Sequence, residues 1–364
     1  MRASWLALLG WLLASPAAAL SCFGSSTNAL ADWNRYKTHF LAAEGRMVDT
    51  GNQTTSHSEG QGFGMRLAIF FEDRAAFEQI WRWTRQHLYV RDDRLAAWRW
   101  QPGAAEPIQD RNNASDGDLL IAWALSLAGR QWSEPGYIEA ARSIASEIRQ
   151  KLLRPTSQGL FLLPGITGFE REDGLIVNPS YWVFPALRDL ARLEPEAQEW
   201  PALTAAGLSL LENARFGRWR LPPDWVRWKE RFELPEDFKA RFGYDAIRVP
   251  LYLIWGGYST VSRLQPFVDF WDSVGNSSVV PDWVDLSTDT VNTHDAPVGI
   301  KAVMALTRFV LRGQREPVFL GLPPISEDTD YYSASLVLLV RIAATEWCQS
   351  GTAVPIYAKA LPSS

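Results

Sequence analysis

Apolar residues along this chain recur mainly with a helical period, and they do so in two styles. In segments 119–128, 249–255 and 334–344 nearly every position is apolar, the pattern of a helix buried on all sides. Elsewhere an apolar stripe alternates with a polar face. Phe77, Ile80, Trp81, Thr84 and Leu88 keep helical spacing, as do Ile138, Ala141, Ile144, Ala145, Ile148 and Leu152, a run that Pro155 closes. Segments 28–43, 197–213, 262–271 and 298–311 carry the same one-faced pattern. Strand signals are few. Segment 159–165 predicts a short hairpin arm, and 218–228, with two prolines and three tryptophans, predicts a loop excursion with some extended backbone.

The two styles alternate, with a period of roughly 50 to 65 residues. Eleven or twelve helices are predicted, so the fold class is all-α with a few short strands in loops. Two concentric rings would explain the alternation: inner helices buried all round, outer helices with one wet face. An open superhelix of helical hairpins fits the same period. No internal stretch rich in Gly, Pro and Ser interrupts the pattern, which predicts a single domain over 22–364.

Residues 1–21 read as a secretion signal. Arg2 supplies a positive start, 5–13 an apolar centre too short to span a membrane, and Pro16-Ala17-Ala18-Ala19 small residues for cleavage after Ala19 or Ser21. The expected location is periplasmic or secreted, with an acylated Cys22 in Leu20-Ser21-Cys22 as the alternative. The only other cysteine, Cys348, could join Cys22 in one disulfide or remain free. A net charge of −5 argues against nucleic acid or an anionic membrane surface as partner. The 18 tryptophans offer flat apolar faces with one donor each. Most belong in the core, but such faces also stack on sugar rings.

Candidate chemistry collects at the N-terminal ends of the predicted inner helices. Glu59 sits among the glycines of Ser58-Glu59-Gly60-Gln61-Gly62-Phe63-Gly64-Met65. Asp116 opens the helix through 119–129, Ser180 and Tyr181 the helix near 182–193, and Asp245 the helix through 247–255. If the inner helices run the same way, these residues meet at one mouth. In Asn113-Ala114-Ser115-Asp116-Gly117-Asp118, Ser115 and Asp118 have the spacing of a capping box, leaving Asp116 for the cleft. Asp245 at a helix N-terminus should stay ionised and suits a general base, with Arg248 one turn on to orient it. Glu59 suits proton donation only if burial and a neighbouring charge, expected from Asp116, hold its proton. No zinc-ligand spacing, nucleophile elbow, phosphate loop or dinucleotide fingerprint occurs, so neither metal nor cofactor is expected. Of the four histidines, His57 beside Ser58 and Glu59 is read as lining a loop.

Those segments, with Asn178-Pro179-Ser180-Tyr181 and Tyr244-Asp245-Ala246-Ile247-Arg248, resemble glycoside hydrolase family 8, in that family's order and over most of the mature chain. Asp224-Trp225-Val226 and Leu163-Pro164-Gly165 resemble the branch of periplasmic endoglucanases that accompany bacterial cellulose synthase. The resemblance implies an (α/α)6 barrel and an inverting endo-β-1,4-glucanase acting on cellulose or cello-oligosaccharides. Glu59 matches the general acid, Asp245 the general base, and Asp116 an aspartate that positions and distorts the sugar. The two working carboxyls of such an enzyme stand about 6.5–9.5 Å apart. Tyr181, Arg248, Trp100, Ser180 and Asn178 are expected to contact substrate. Phe63 stands where many relatives carry tyrosine. The partners implied are a β-1,4-glucan chain and the cellulose synthase complex, with the enzyme itself a monomer. Xylan, chitosan and mixed-linkage glucan are alternative substrates within the family. A non-catalytic glucan-binding component of a secretion complex is the alternative outside catalysis.

Overall fold

The computed structural model describes residues 26–273, 279–313, 322 and 324–349. The signal segment 1–21 and Cys22, and with Cys22 the bond considered to Cys348, lie outside the described residues. The helices are α1 (Ser26–Phe40), α2 (Ser58–Phe70), α3 (Arg74–His87), α4 (Ser115–Gln131), α5 (Pro135–Lys151), α6 (Phe184–Leu193), α7 (Glu199–Asn213), α8 (Arg248–Gly256), α9 (Val261–Ser273), α10 (Val298–Leu311) and α11 (Tyr331–Gln349). Their limits follow local chemistry. Asp73 caps α3 by accepting from Ala76 N at 3.1 Å, Pro135 opens α5 where its missing N–H does no harm, and Gly257 closes α8 in the left-handed region at φ 89°.

Helices α2, α4, α6, α8 and α11 pack on one another in sequence, and α11 returns to α2, so they close a ring. The remaining helices lie outside it, with α10 seated against α8, α9 and α11. This is the two-layer arrangement of an (α/α)6 barrel, with eleven helices among the described residues. The three segments apolar all round, 119–128, 249–255 and 334–344, are α4, α8 and α11 of the inner layer. The one-faced segments are outer helices. α3 shows why: it buries Phe77, Ile80, Trp81 and Thr84 and exposes Arg82 and Arg85. The inner helix α6 carries more charge than the pattern predicts. Its Asp189 is paired with Arg130 of α4 at 2.5 Å, and its Arg188 donates to the Gly256 carbonyl at 3.1 Å.

Two contacts fix the inner layer. Gly62 and Gly117 let α2 and α4 touch backbone to backbone: a Cβ on Gly62 would stand 2.5 Å from Leu120 Cβ, and one on Gly117 2.2 Å from Ser58 Oγ. Far from the mouth, buried Arg66 of α2 lies between the rings of Trp123 on α4 and Trp255 on α8, 4.9 and 5.3 Å from their centroids. It is ion-paired to Glu346 of α11, whose other oxygen accepts from Trp255 Nε1 at 2.7 Å.

The strands are short and confined to connections. β1 (Ser56–His57) pairs with β2 (Arg99–Trp100), and β3 (Leu153–Thr156) with β4 (Gly159–Leu162), which is the predicted hairpin arm. β5 (Glu170–Arg171), β6 (Gly174–Val177), β7 (Val226–Trp228) and β8 (Phe232–Glu233) form a four-stranded antiparallel sheet in that order. β9 (Arg241–Phe242) pairs with β10 (Val284–Asp285). The four-stranded sheet matters for the mouth of the barrel. β6 runs directly into Asn178-Pro179-Ser180-Tyr181, and Asp224-Trp225 leads into β7. No helix among the described residues is long and apolar enough to cross a membrane.

Candidate active site

The N-terminal ends of all five inner helices, or the turns just before them, meet at one cleft of about 330 Å³. Glu59 comes from the first turn of α2 and Asp116 from that of α4. Tyr181 ends a single 3-10 turn, Pro179–Tyr181, ahead of α6, which starts only at Phe184. Asp245 lies in the turn preceding α8, which starts at Arg248. Tyr331 and Tyr332 open α11.

One buried cation ties the acids together. Arg248 Nη1 lies 3.2 Å from Glu59 Oε1, and Nη2 lies 3.1 Å from Asp245 Oδ1 and 3.7 Å from Asp116 Oδ2. Exposure separates the roles: the side chains of Glu59 and Asp245 are 25% and 31% open to the cleft, those of Asp116 and Arg248 only 4% each. Glu59 Oε1, the atom beside Arg248, is itself buried and makes no aligned hydrogen bond.

The electrostatics follow from burial. Desolvation is the main force raising the Glu59 carboxyl, reinforced by Asp245 and opposed by Arg248 and by a side-chain hydrogen bond from Asp116. Asp116 is pushed well above the usual carboxylate range, by burial first and by the Glu59 charge second. The two are coupled, and burial beside a like charge favours a shared proton over full ionisation of both. Burial also raises Tyr181, with Asp116 next in effect.

The other expected contacts divide. Ser180 and Asn178 stand behind Arg248 rather than in the cleft: Arg248 Nη2 donates to Ser180 Oγ at 2.9 Å, and Ser180 Oγ donates to Asn178 Oδ1 at 2.8 Å. Both are buried, so they orient the arginine. Trp100 does not line the cleft. It packs beneath the Arg46 guanidinium, 5.1 Å from its centroid, and edge-on to Trp83 at 5.5 Å. Trp98 lines the cleft instead, stacked on His57 at 6.0 Å. His57 therefore helps form the wall, and burial lowers its pKa to about 4, leaving it neutral. The capping box expected from Ser115 and Asp118 does not form. Ser115 is already inside α4, whose N-cap Ala114 has no capping side chain, and buried Asp118 accepts from Ala96 N and Asn113 Nδ2, each at 2.8 Å. Tyr331 and Tyr332 were missed by the sequence reading, although they begin a helix apolar all round, the same positional signal that picked out Asp116. Trp98 offered no signal that set it apart from Trp100.

Aromatic rings line this groove, among them His57, Trp98, Tyr181, Tyr244 and Tyr332. Tyr332 OH donates to the Tyr244 carbonyl at 2.5 Å and accepts from Arg248 Nη1 at 3.4 Å. A larger hollow of about 670 Å³ lies between α3 and α5, but its wall is arginine-rich and holds no comparable group of carboxyls. The chemistry therefore belongs to the smaller cleft.

Carboxyls of unequal exposure, one of them in a proton-sharing pair, suit acid–base cleavage of a glycosidic bond. Set in a ring-shaped helical barrel, they define a glycoside hydrolase of the (α/α)6 class. Within that class the chain belongs to glycosyl hydrolases family 8, whose model matches residues 11–346. It is 39% identical over 334 residues to a probable endoglucanase of Novacetimonas hansenii, covering 88% of this chain and 95% of the relative. It is 37% identical over 277 residues to an endoglucanase of Cellulomonas uda, covering 76% of each. Its fold superposes on endo-beta-1,4-glucanase CMCax from Acetobacter xylinum with a TM-score of 0.81 at 38% identity, covering 88% of this chain and 98% of that one.

Proposed function

We propose that this protein is an inverting endo-β-1,4-glucanase that hydrolyses cellulose or cello-oligosaccharides, with Glu59 as general acid and Asp245 as general base. The observation that carries the assignment of roles is Arg248, which holds Glu59 and Asp245 around one cleft, with Asp116 on the same guanidinium and more buried than either. Glu59 gives its proton to the glycosidic oxygen as the bond breaks. A water on the opposite face of the sugar attacks the anomeric carbon and loses its proton to Asp245, so the anomeric configuration inverts. Arg248 then sits against the Glu59 carboxylate just formed. Asp116 positions the sugar at the point of cleavage, and Tyr181 and Trp98 contact it. Relatives with matching cover carry endoglucanase names, which favours glucan over the other substrates of the family.

Glu59→Gln is expected to lower kcat on cello-oligosaccharides by about 10²–10⁴-fold, the range of general acid catalysis, while binding measured by calorimetry persists. Proton NMR of fresh digests should show the α-anomer first. A β-anomer, or Glu59→Gln turnover near that of the parent, would refute the assignment.

We further propose that 22–364 acts as a single catalytic unit and a monomer, exported after loss of 1–21, and that it trims glucan made by a cellulose synthase complex. The charged and apolar spacing of 1–21 supports export, and the resemblance to the synthase-associated branch supports the role. Sedimentation of the mature protein alone and with the synthase complex tests both.

A further inference from the structure

Asp245 is carried by a turn, and something must hold that turn. Beyond Arg248, which it shares with Glu59 and Asp116, the Asp245 carboxylate has no ion-pair partner among the described residues. The turn itself hangs on one remote side chain. Asp224, 2% exposed, accepts through Oδ1 from three backbone amides: Gly243 N at 3.0 Å, Asp245 N at 3.2 Å and Ala246 N at 2.8 Å. Its Oδ2 accepts from Arg241 Nε at 2.9 Å, and its own N–H donates to the Arg241 carbonyl at 2.7 Å. Asp224 is thus fixed by the start of β7 and by β9, and it satisfies the amides that open the way into α8. The fit is close: a Cβ on Gly243 would stand 3.0 Å from both Asp224 Oδ2 and Arg241 Nε. Burial, with the Asp245 charge second, raises the Asp224 carboxyl to about 6, so at neutral pH it is ionised and its amide bonds are charge-assisted.

We propose that Asp224 is the positioning residue for the general base, setting through the 243–246 turn where the Asp245 carboxylate meets the attacking water. The proposal rests on the assignment of Asp245 above. It gives a residue far in sequence a share in kcat without any contact to substrate. Displacing a catalytic group by about 1 Å costs on the order of 10²-fold in rate.

The test compares Asp224→Ala, Asp224→Asn and Asp245→Ala in the full mature chain on cellopentaose. Asp224→Ala should lose about 10²-fold in kcat while calorimetric affinity for cellotetraose stays within about two-fold. Asp224→Asn keeps an acceptor for the three amides and should lose far less. Sodium azide should restore turnover to Asp224→Ala and to Asp245→Ala, since azide attacks the anomeric carbon without giving up a proton. The C–N bond forms as the glycosidic C–O bond breaks, Glu59 protonates the leaving oxygen, and α-glycosyl azide appears by NMR. The proposal is overturned if Asp224→Ala keeps kcat within about two-fold, or if kcat and affinity fall together with no azide product. Should Asp224→Ala fail to fold by circular dichroism, Asp224→Asn decides: kcat and affinity falling in parallel overturn the proposal, and a fall in kcat alone supports it. If Asp245→Ala itself retains turnover, the base assignment is what fails, whatever Asp224→Ala does.

Discussion

At the residue scale, the proposed acid Glu59 and its neighbour Asp116 should set the working pH. As general acid Glu59 would act only while protonated, so kcat/KM is expected to fall as pH rises through its raised pKa. Asp116→Asn replaces a carboxyl that can ionise beside Glu59 with an amide that stays neutral and still donates through Nδ2. Donation to the Glu59 carboxylate favours its charged form. The alkaline limb of kcat/KM against pH should therefore move to lower pH in Asp116→Asn, and an unmoved limb would place the acid elsewhere. The acids themselves could be picked from the sequence because each begins an apolar helix. Their pairing could not. Nor could the choice of Trp98 over Trp100 for the cleft wall, because that depends on what packs against each ring: His57 against Trp98, and Arg46 and Trp83 against Trp100.

At the element scale, the approach of α2 to α4 brings Glu59 and Asp116 within reach of each other. Gly117→Ala would put a methyl 2.2 Å from Ser58 Oγ and 2.8 Å from Glu59 N. It should destabilise by about 1–3 kcal/mol, as overpacking does, and reduce kcat as the pair separates, read by thermal melting and steady-state rates. A second element-scale prediction concerns Asp118, which ties the 95–97 segment and Asn113 to α4. Burial pushes its carboxyl up to about 7 from 3.8. The folded state binds the proton more tightly than the unfolded chain, so the associated stability is full below about pH 4 and is lost as pH rises toward and through about 7. Melting temperature measured from pH 4 to 8 should fall through this window, and Asp118→Asn should flatten that fall. The helices were readable because burial all round and burial on one face leave different apolar periods. The three amides on Asp224 were not, since the acceptor and its donors are separated by 19, 21 and 22 residues.

At the scale of the whole molecule, the ring closes through contacts between helices distant in sequence. Arg66, Trp123, Trp255 and Glu346 come from four inner helices and meet at the end of the barrel opposite the cleft. Arg66→Ala removes a buried cation from between two indoles and leaves Glu346 with the Trp255 indole but without its cation. It should cost about 3 kcal/mol, measured by urea unfolding, while leaving the shape of the pH–rate profile unchanged. An altered profile would mean that the two ends of the barrel are coupled.

The sequence by itself determined that helices would form, which of them would be buried, and that acids would stand at their N-terminal ends. Local spacing of apolar side chains and helix-starting residues carries that information. Only the tertiary structure decided the closed ring over an open superhelix, the proton-sharing of Glu59 with Asp116, the binding of three acids to Arg248, and the suspension of Asp245 from Asp224. Each of these depends on burial and on distances of a few ångströms between residues far apart along the chain, and neither quantity exists until the helices pack.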